Sequence, residues 1–411
     1  MTQSPDFRSV DFLRVHVAHT IAFYHPRAID PKGGFFHYFK DDGSVYERDH
    51  RHLVSSTRFV FVYAMAFREF ARPEYLNAVR HGLEYLRERH RDPRNGGYAW
   101  TLRQHQPEDR TNHAYGLAFV LLAYAHAVLA GIADAKPWIV ETWDILEKHF
   151  WEPAAGLYRD EADEQWNVSP YRGQNSNMHL CEAMLAAYDA THDNRYLQRA
   201  GQLADAAANR LAPQGGGLIW EHYHADWTPD WNYNRDDPGH LFRPWGFQPG
   251  HQTEWAKLLL MLDAHHPESW RLPAAVRLFE GALENAWDSE RGGIYYGFTP
   301  DRTICDTDKY FWVQAESIAT AARLAIRTQD SRYWEWYEKL WHYSWENFVD
   351  HRYGAWYRIL NRDNVKYSDE KSPAGKTDYH TVGACFDVMT ALRTLSRTPT
   401  GTNGARRITP P

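Results

Sequence analysis

A small glycine turn followed by a short aromatic segment recurs six times along this chain. The copies are Gly33-Gly34-Phe35-Phe36-His37-Tyr38, Gly96-Gly97-Tyr98-Ala99-Trp100, Gly156-Leu157-Tyr158, Gly216-Gly217-Leu218-Ile219-Trp220, Gly292-Gly293-Ile294-Tyr295-Tyr296 and Gly354-Ala355-Trp356-Tyr357. Measured between Gly34, Gly97, Gly156, Gly217, Gly293 and Gly354, the steps are 63, 59, 61, 76 and 61 residues. About 60 residues hold two helices and a tight hairpin. One such unit cannot bury its own apolar face, so the units must stack, in an open array or a closed ring.

Helical periodicity fills the intervals. It predicts twelve helices, near 7–25, 51–71, 73–91, 111–131, 134–151, 173–190, 193–211, 249–265, 268–288, 310–327, 331–349 and 377–396. The odd-numbered members are amphipathic and charged, as in the stretch from Leu76 to Glu84, and read as an outer layer. The even-numbered members are apolar and rich in small residues, as in Ala118–Ala125, and read as an inner layer. Six outer and six inner helices are best satisfied by an all-α (α/α)6 barrel, with an open α-solenoid as the alternative. The repeat makes residues 1–397 one catalytic domain. The segment 398–411 has the composition of a flexible tail.

The remaining bulk properties exclude more than they specify. A net charge of -7 without a basic stripe argues against a nucleic-acid partner. No apolar run is long enough to cross a membrane, and the start lacks a basic region followed by an apolar core. Cys181, Cys305 and Cys385 show no paired or metal-type spacing, which suits a reducing cytosol. A monomer or a homodimer is expected. The long 76-residue step places an aromatic, charged insertion within Glu221–Trp245, a candidate pocket wall or surface excursion.

Polar residues unsuited to a core gather at the starts of the even-numbered helices. These are Arg58 after Ser55-Ser56-Thr57, Tyr115 after Asn112-His113, and Asn175, His179 and Glu182 in the third inner helix. His251 and Glu254 follow in the fourth, Trp312, Gln314 and Glu316 in the fifth, and His380 in the sixth. In a barrel these starts share one mouth, where free helix N–H groups also suit a developing oxyanion. Each lone histidine has a structural reading as a cap or packed polar group. Arg58 can equally neutralise Glu182, Glu254 or Glu316. The i, i+3 pairs His179/Glu182 and His251/Glu254 could face a metal. However, no HExxH motif or cysteine cluster accompanies them, which favours chemistry without metal or other cofactor.

At these residues the chain resembles the N-acylglucosamine 2-epimerase / cellobiose 2-epimerase superfamily. The segments STRFVFVYA, NSNMHLCEA, WGFQPGHQTEWAKLLL, KYFWVQAESI and TDYH carry the resemblance, in order, from Arg58 to His380. The pairing of QPGHQTEWAKLL with NSNMH is most similar to the mannose isomerase and aldose–ketose isomerase branch. Phe311-Trp312-Val313-Gln314 stands where the epimerases tend to carry Trp-Trp-Pro-Gln or Trp-Trp-Pro-His.

The resemblance implies an (α/α)6 barrel acting on a free monosaccharide without a metal. It assigns His251 and His380 to proton transfer and His179 to ring opening. Arg58, Tyr115, Glu254 and Trp312 then hold substrate or orient a histidine. Asn175, Glu182 and Gln314 join the substrate-contacting set by position. Interconversion of D-mannose with D-fructose, and of D-lyxose with D-xylulose, is the expected reaction. A 2-epimerase of N-acylglucosamine or cellobiose-type disaccharides is the alternative. An inverting glycoside hydrolase is more distant, because it needs two carboxylates across a bond rather than histidines.

Overall fold

The computed structural model describes residues 5–397, so the predicted 398–411 tail lies outside the described residues. Among them, twelve long helices alternate around a ring. The outer helices are α1 (Val10–Tyr24), α3 (Pro73–Tyr85), α5 (Lys136–His149), α7 (Asn194–Asp205), α9 (Arg271–Ala286) and α11 (Ser331–Asn347). The inner helices are α2 (Leu53–Phe70), α4 (Ala114–Leu129), α6 (Gln174–Thr191), α8 (Pro249–His265), α10 (Phe311–Thr328) and α12 (Tyr379–Arg397). Each inner helix packs on the next, and α12 returns to α2. The ring is closed, which excludes the open solenoid. No described helix is long and apolar enough to cross a membrane, and the three cysteines are free.

Both layers follow from side-chain chemistry. In α4 the run from Ala114 to Ala127 is almost wholly buried, because small residues let inner helices touch on two sides. α3 buries only one stripe, Tyr75, Ala78, Val79, Gly82, Leu83 and Tyr85. α3 and α7 each end in a wider turn, Leu86–His90 and Ala206–Leu211, which redirects the chain toward its glycine hairpin. At Gly34 (φ +69°) an added Cβ would lie 2.6 Å from the ring of Tyr85, and at Gly293 (φ +82°) 2.4 Å from that of Tyr343. In both repeats the backbone must turn left-handed directly beneath a tyrosine of the next outer helix, so only glycine fits.

An ion pair ties each of four hairpins to the segment ahead of the following inner helix. Asp30 meets Arg51 at 2.7 Å, Glu152 meets Arg172 at 3.2 Å, Asp288 meets Lys309 at 2.8 Å, and Asp350 meets Lys371 at 2.5 Å. The four partner separations are 20 or 21 residues, a second signature of the same repeat.

Inner helices start later than periodicity predicts at positions 51, 111 and 310. The residues just before them are extended and pair with the neighbouring repeat. His50–His52 pairs with Thr101–Arg103, Asn112–His113 with Glu161–Ala162, and Lys309–Tyr310 with Ile359–Leu360. Tyr38–Lys40 pairs with Glu370–Ser372 and sews the last repeat to the first. Pairing across repeats is invisible to a local helical pattern. It also pins every inner helix start at the same rim.

Candidate active site

Counting from each helix start sorts the polar residues by depth. Tyr115, Asn175, Trp312 and His380 are second residues of α4, α6, α10 and α12, and His251 is the third of α8. Arg58, His179, Glu254 and Glu316 are sixth residues of α2, α6, α8 and α10. Positions i and i+4 share a helix face, so both sets point to the barrel axis, about 6 Å apart in height at 1.5 Å per residue. The upper layer rims a pocket of about 690 Å³, counted with its open mouth. Arg58, His179 and Glu254 form part of its floor.

The two proton-transfer candidates are held alike. His251 Nδ1–H donates to Glu221 Oε2 at 2.8 Å, and Glu221 also accepts from Gln174 Nε2 at 2.8 Å. Trp255 Nε1–H donates to Gln174 Oε1 at 2.6 Å, which fixes the orientation of that amide. His380 Nδ1–H donates to Glu316 Oε1 at 2.7 Å. Gln174 Nε2 also lies 3.0 Å from His251 Nδ1, but the shorter contact to the Glu221 carboxylate assigns the proton to Nδ1, as at His380, and each Nε2 is left for the pocket. The ring of Trp312 lies 5.0 Å from that of His251 and 5.5 Å from that of His380, a flat wall between the pair. Burial, with Arg58, His179 and Lys257 nearby, pushes the His380 imidazole well below its ordinary value, so it is a neutral base at pH 7.

The floor carries three carboxylates. Burial pushes Glu182 up, but the His179 bond, Lys257 and Tyr379 outweigh it and hold this acid at about 2. Burial and the neighbouring Glu316 push Glu254 well above the usual carboxylate range, so it is a neutral acid. Both Glu254 oxygens are buried without a hydrogen-bond partner, at a residue that lines the pocket. Burial likewise lowers His179 to about 4, and its Nδ1–H donates to Glu182 at 3.3 Å. Arg58 lies flat between Phe119 (4.3 Å) and Tyr379 (4.6 Å). It donates to the Gly375 carbonyl and, at 3.3 Å, to the Tyr115 hydroxyl.

Two groups, His179/Glu182/Glu254 and Glu254/Glu316/His380, bring possible metal-ligating atoms within 4.8 Å of one another. Apart from the unpartnered Glu254 oxygens, their donors engage other side chains. Lys257 Nζ sits on Glu316 Oε2 at 2.5 Å, and both histidines turn Nδ1–H to a carboxylate.

The family model of N-acylglucosamine 2-epimerase (GlcNAc 2-epimerase) matches residues 34–384. The chain belongs to the N-acylglucosamine 2-epimerase family. Within this family it is 55% identical over 390 residues to the D-mannose isomerase of Marinomonas mediterranea, a match covering 94% of this chain and 99% of that one. A crystal structure of D-mannose isomerase superposes with a TM-score of 0.93 at 55% identity, over 94% of this chain and 100% of that chain. The cellobiose 2-epimerase of Spirochaeta thermophila superposes with a TM-score of 0.83 at 22% identity, over 95% of this chain and 100% of that chain, a likeness of fold alone.

In this family member the pocket brings together Arg58, Tyr115, Asn175, His179, His251, Glu254, Trp312 and His380. Two expected residues fall elsewhere. Gln314 is fully buried, accepts from the Ile294 N–H at 3.0 Å and donates to the Ile294 carbonyl at 3.0 Å. As the fourth residue of α10 it points away from the axis and clamps a glycine hairpin. Gln252 and Asn177, fourth in α8 and α6, do the same at Ile219 and Tyr158. Glu182 stands behind the pocket wall and acts through His179 and Tyr379.

The carboxylate that orients His251 is Glu221, not Glu254. One helical turn separates Glu254 from His251, but its side chain points to the floor beside His179, at 3.8 Å. Arg58 pairs with none of Glu182, Glu254 or Glu316 within ion-pair distance among the described residues. The 221–245 insertion is a pocket wall. It supplies Glu221 at its start and Leu241, Phe242 and Pro244 at the mouth. Phe242 stacks on His52 with ring centres 5.4 Å apart, and Arg243 bonds Glu161 at 2.5 Å to hold the segment down. The sequence places Glu316 at the start of the fifth inner helix but does not show its role as the partner of His380. Nothing local marks Glu221 or Gln174.

Proposed function

We propose that the chain is an aldose–ketose isomerase interconverting D-mannose and D-fructose, with D-lyxose and D-xylulose as further substrates. The single observation that carries this reading is the matched pair of histidines. His251 and His380 each have Nδ1 fixed on a buried carboxylate and Nε2 left for one pocket. The extensive identity to a protein named D-mannose isomerase supports the choice of sugar.

The reaction moves a carbonyl from C1 to C2 of the open-chain sugar. One imidazole Nε2 removes the C2 proton as the carbonyl oxygen at C1 takes up negative charge, which gives the enediol as its anion. The same imidazolium then returns a proton to C1 while the hydroxyl on C2 loses its own, and a carbonyl forms at C2. The second histidine, through its free Nε2, takes the proton of the C2 hydroxyl and passes it to the oxygen on C1. Arg58, with its fork at the floor, holds the oxygens as charge develops on them. His179, backed by Glu182, serves ring opening, and neutral Glu254 donates to a sugar hydroxyl through its unpartnered oxygens. No step calls for a metal or other cofactor. The three free cysteines fit a cytosolic setting.

The test is incubation with D-mannose in heavy water, with and without a chelator. Fructose as the first product, with any solvent label at C1, fits the reading. Glucose labelled at C2 as the main early product, or activity lost on chelation and restored by a divalent ion, rejects it.

A further inference from the structure

One buried cation belongs to neither the pocket nor the surface. Lys257 is the ninth residue of α8, three beyond Glu254, and lies about 4.5 Å deeper along the axis at 1.5 Å per residue. It is 6% exposed and does not line the pocket. Its ammonium group donates to Glu316 Oε2 at 2.5 Å, and the other oxygen of Glu316 accepts from His380 Nδ1 at 2.7 Å. Three side chains from three inner helices thus form one line from the barrel interior to a proton-transfer residue.

We propose that Lys257 is a positioning residue of the reaction, which fixes Glu316 as an ionised acceptor and so keeps the His380 proton on Nδ1 and Nε2 free for the sugar. The inference rests on the isomerase reading and deepens it. The charges around His380 explain why a lysine is needed. Arg58 faces it from α2, His179 and Glu182 from α6, Glu254 and Lys257 from α8, and Glu316 from α10, with Asp387 of α12 near Lys257. Glu182, Glu254 and Glu316 are all buried about one axis, and like carboxylates so close cannot all ionise. Without Lys257, Glu316 takes up a proton. It can then donate to His380 Nδ1, the imidazole proton moves to Nε2, and the base is blocked toward the pocket. A lysine that only balanced charge would not decide which ring nitrogen holds the proton.

The test combines kinetics with the tautomer of His380. Lys257→Met is expected to lower kcat for mannose by about 10-fold to 10²-fold, part of what a positioned acid–base group contributes. KM should stay within about threefold, because Lys257 touches no substrate. Lys257→Arg should recover most of the lost kcat, and Lys257→Met should add little once Glu316 is already Gln. In nitrogen-15 spectra of histidine-labelled wild-type protein, assigned by difference with His380→Asn, His380 should be neutral with its proton on Nδ1. In Lys257→Met the proton should move to Nε2.

An unchanged kcat or an unchanged tautomer in Lys257→Met overturns the proposal, as does an Nε2 proton in the wild type. If Lys257→Met does not fold, the wild-type spectrum and Lys257→Arg decide alone. If the wild type converts no mannose, the isomerase reading fails, and the tautomer still reports on the lysine.

Discussion

Glu221 gives the sharpest test of the site, because local sequence would assign its role to Glu254. The perturbation is Glu221→Gln. In the protein His251 Nδ1–H donates to the 3% exposed carboxylate of Glu221, and that bond strengthens as His251 gains positive charge on taking a proton. A hydrogen bond to a charged group contributes about 1.5–3 kcal/mol. If most of it is realised only as that charge develops, kcat falls about 10-fold to 150-fold at 1.4 kcal/mol per tenfold. A glutamine amide can also donate to Nδ1, which would move the imidazole proton to Nε2 and deepen the loss.

The assay is initial-rate mannose-to-fructose conversion, with circular dichroism to confirm folding. Glu254→Gln is the control. Burial already keeps Glu254 neutral, so an amide of the same shape should cost less than Glu221→Gln. A folded Glu221→Gln protein with wild-type kcat, or a larger loss from Glu254→Gln, would refute the orienting role.

Arg58→Lys should lower kcat/KM at least about tenfold despite keeping the charge, because an ammonium cannot stack between Phe119 and Tyr379 while serving Gly375 and Tyr115. Steady-state kinetics on mannose check this. Gln314→Ala should destabilise by about 1–3 kcal/mol, measured by urea unfolding, because it strands the Ile294 N–H and carbonyl, while KM stays unchanged. A raised KM with normal stability would return Gln314 to the pocket. Acid should unfold the protein early. His16, His90, His179 and His222 are each held near 4 by burial, against about 6.5 when unfolded. Between those values the unfolded state binds more protons, so stability present above pH 6.5 is lost as pH falls, at up to about 1.4 kcal/mol per pH unit for each histidine. A thermal midpoint that stays flat from pH 7 to pH 4.5 would contradict this.

The sequence by itself determined the number of repeats, the alternation of charged and apolar helices, and the helix starts that carry function. These are local properties: a left-handed glycine turn, a 3.6-residue period, a polar residue at a place unsuited to a core. Ring closure was not local, because it depends on Tyr38–Lys40 meeting Glu370–Ser372 across almost the whole chain. Nor could the sequence tell which side chains of an inner helix face the axis. Trp312 and Gln314 are two residues apart, yet one walls the pocket and the other clamps a hairpin. The tertiary structure also chose the partners of the histidines. Glu254 is near His251 in sequence, but a helix sends side chains three apart to different depths. Glu221 reaches His251 because the long insertion begins where its hairpin passes the barrel rim. Lys257 stands in the sequence beside an apolar run and acquires a role only when α8 and α10 lie side by side and set its charge against Glu316.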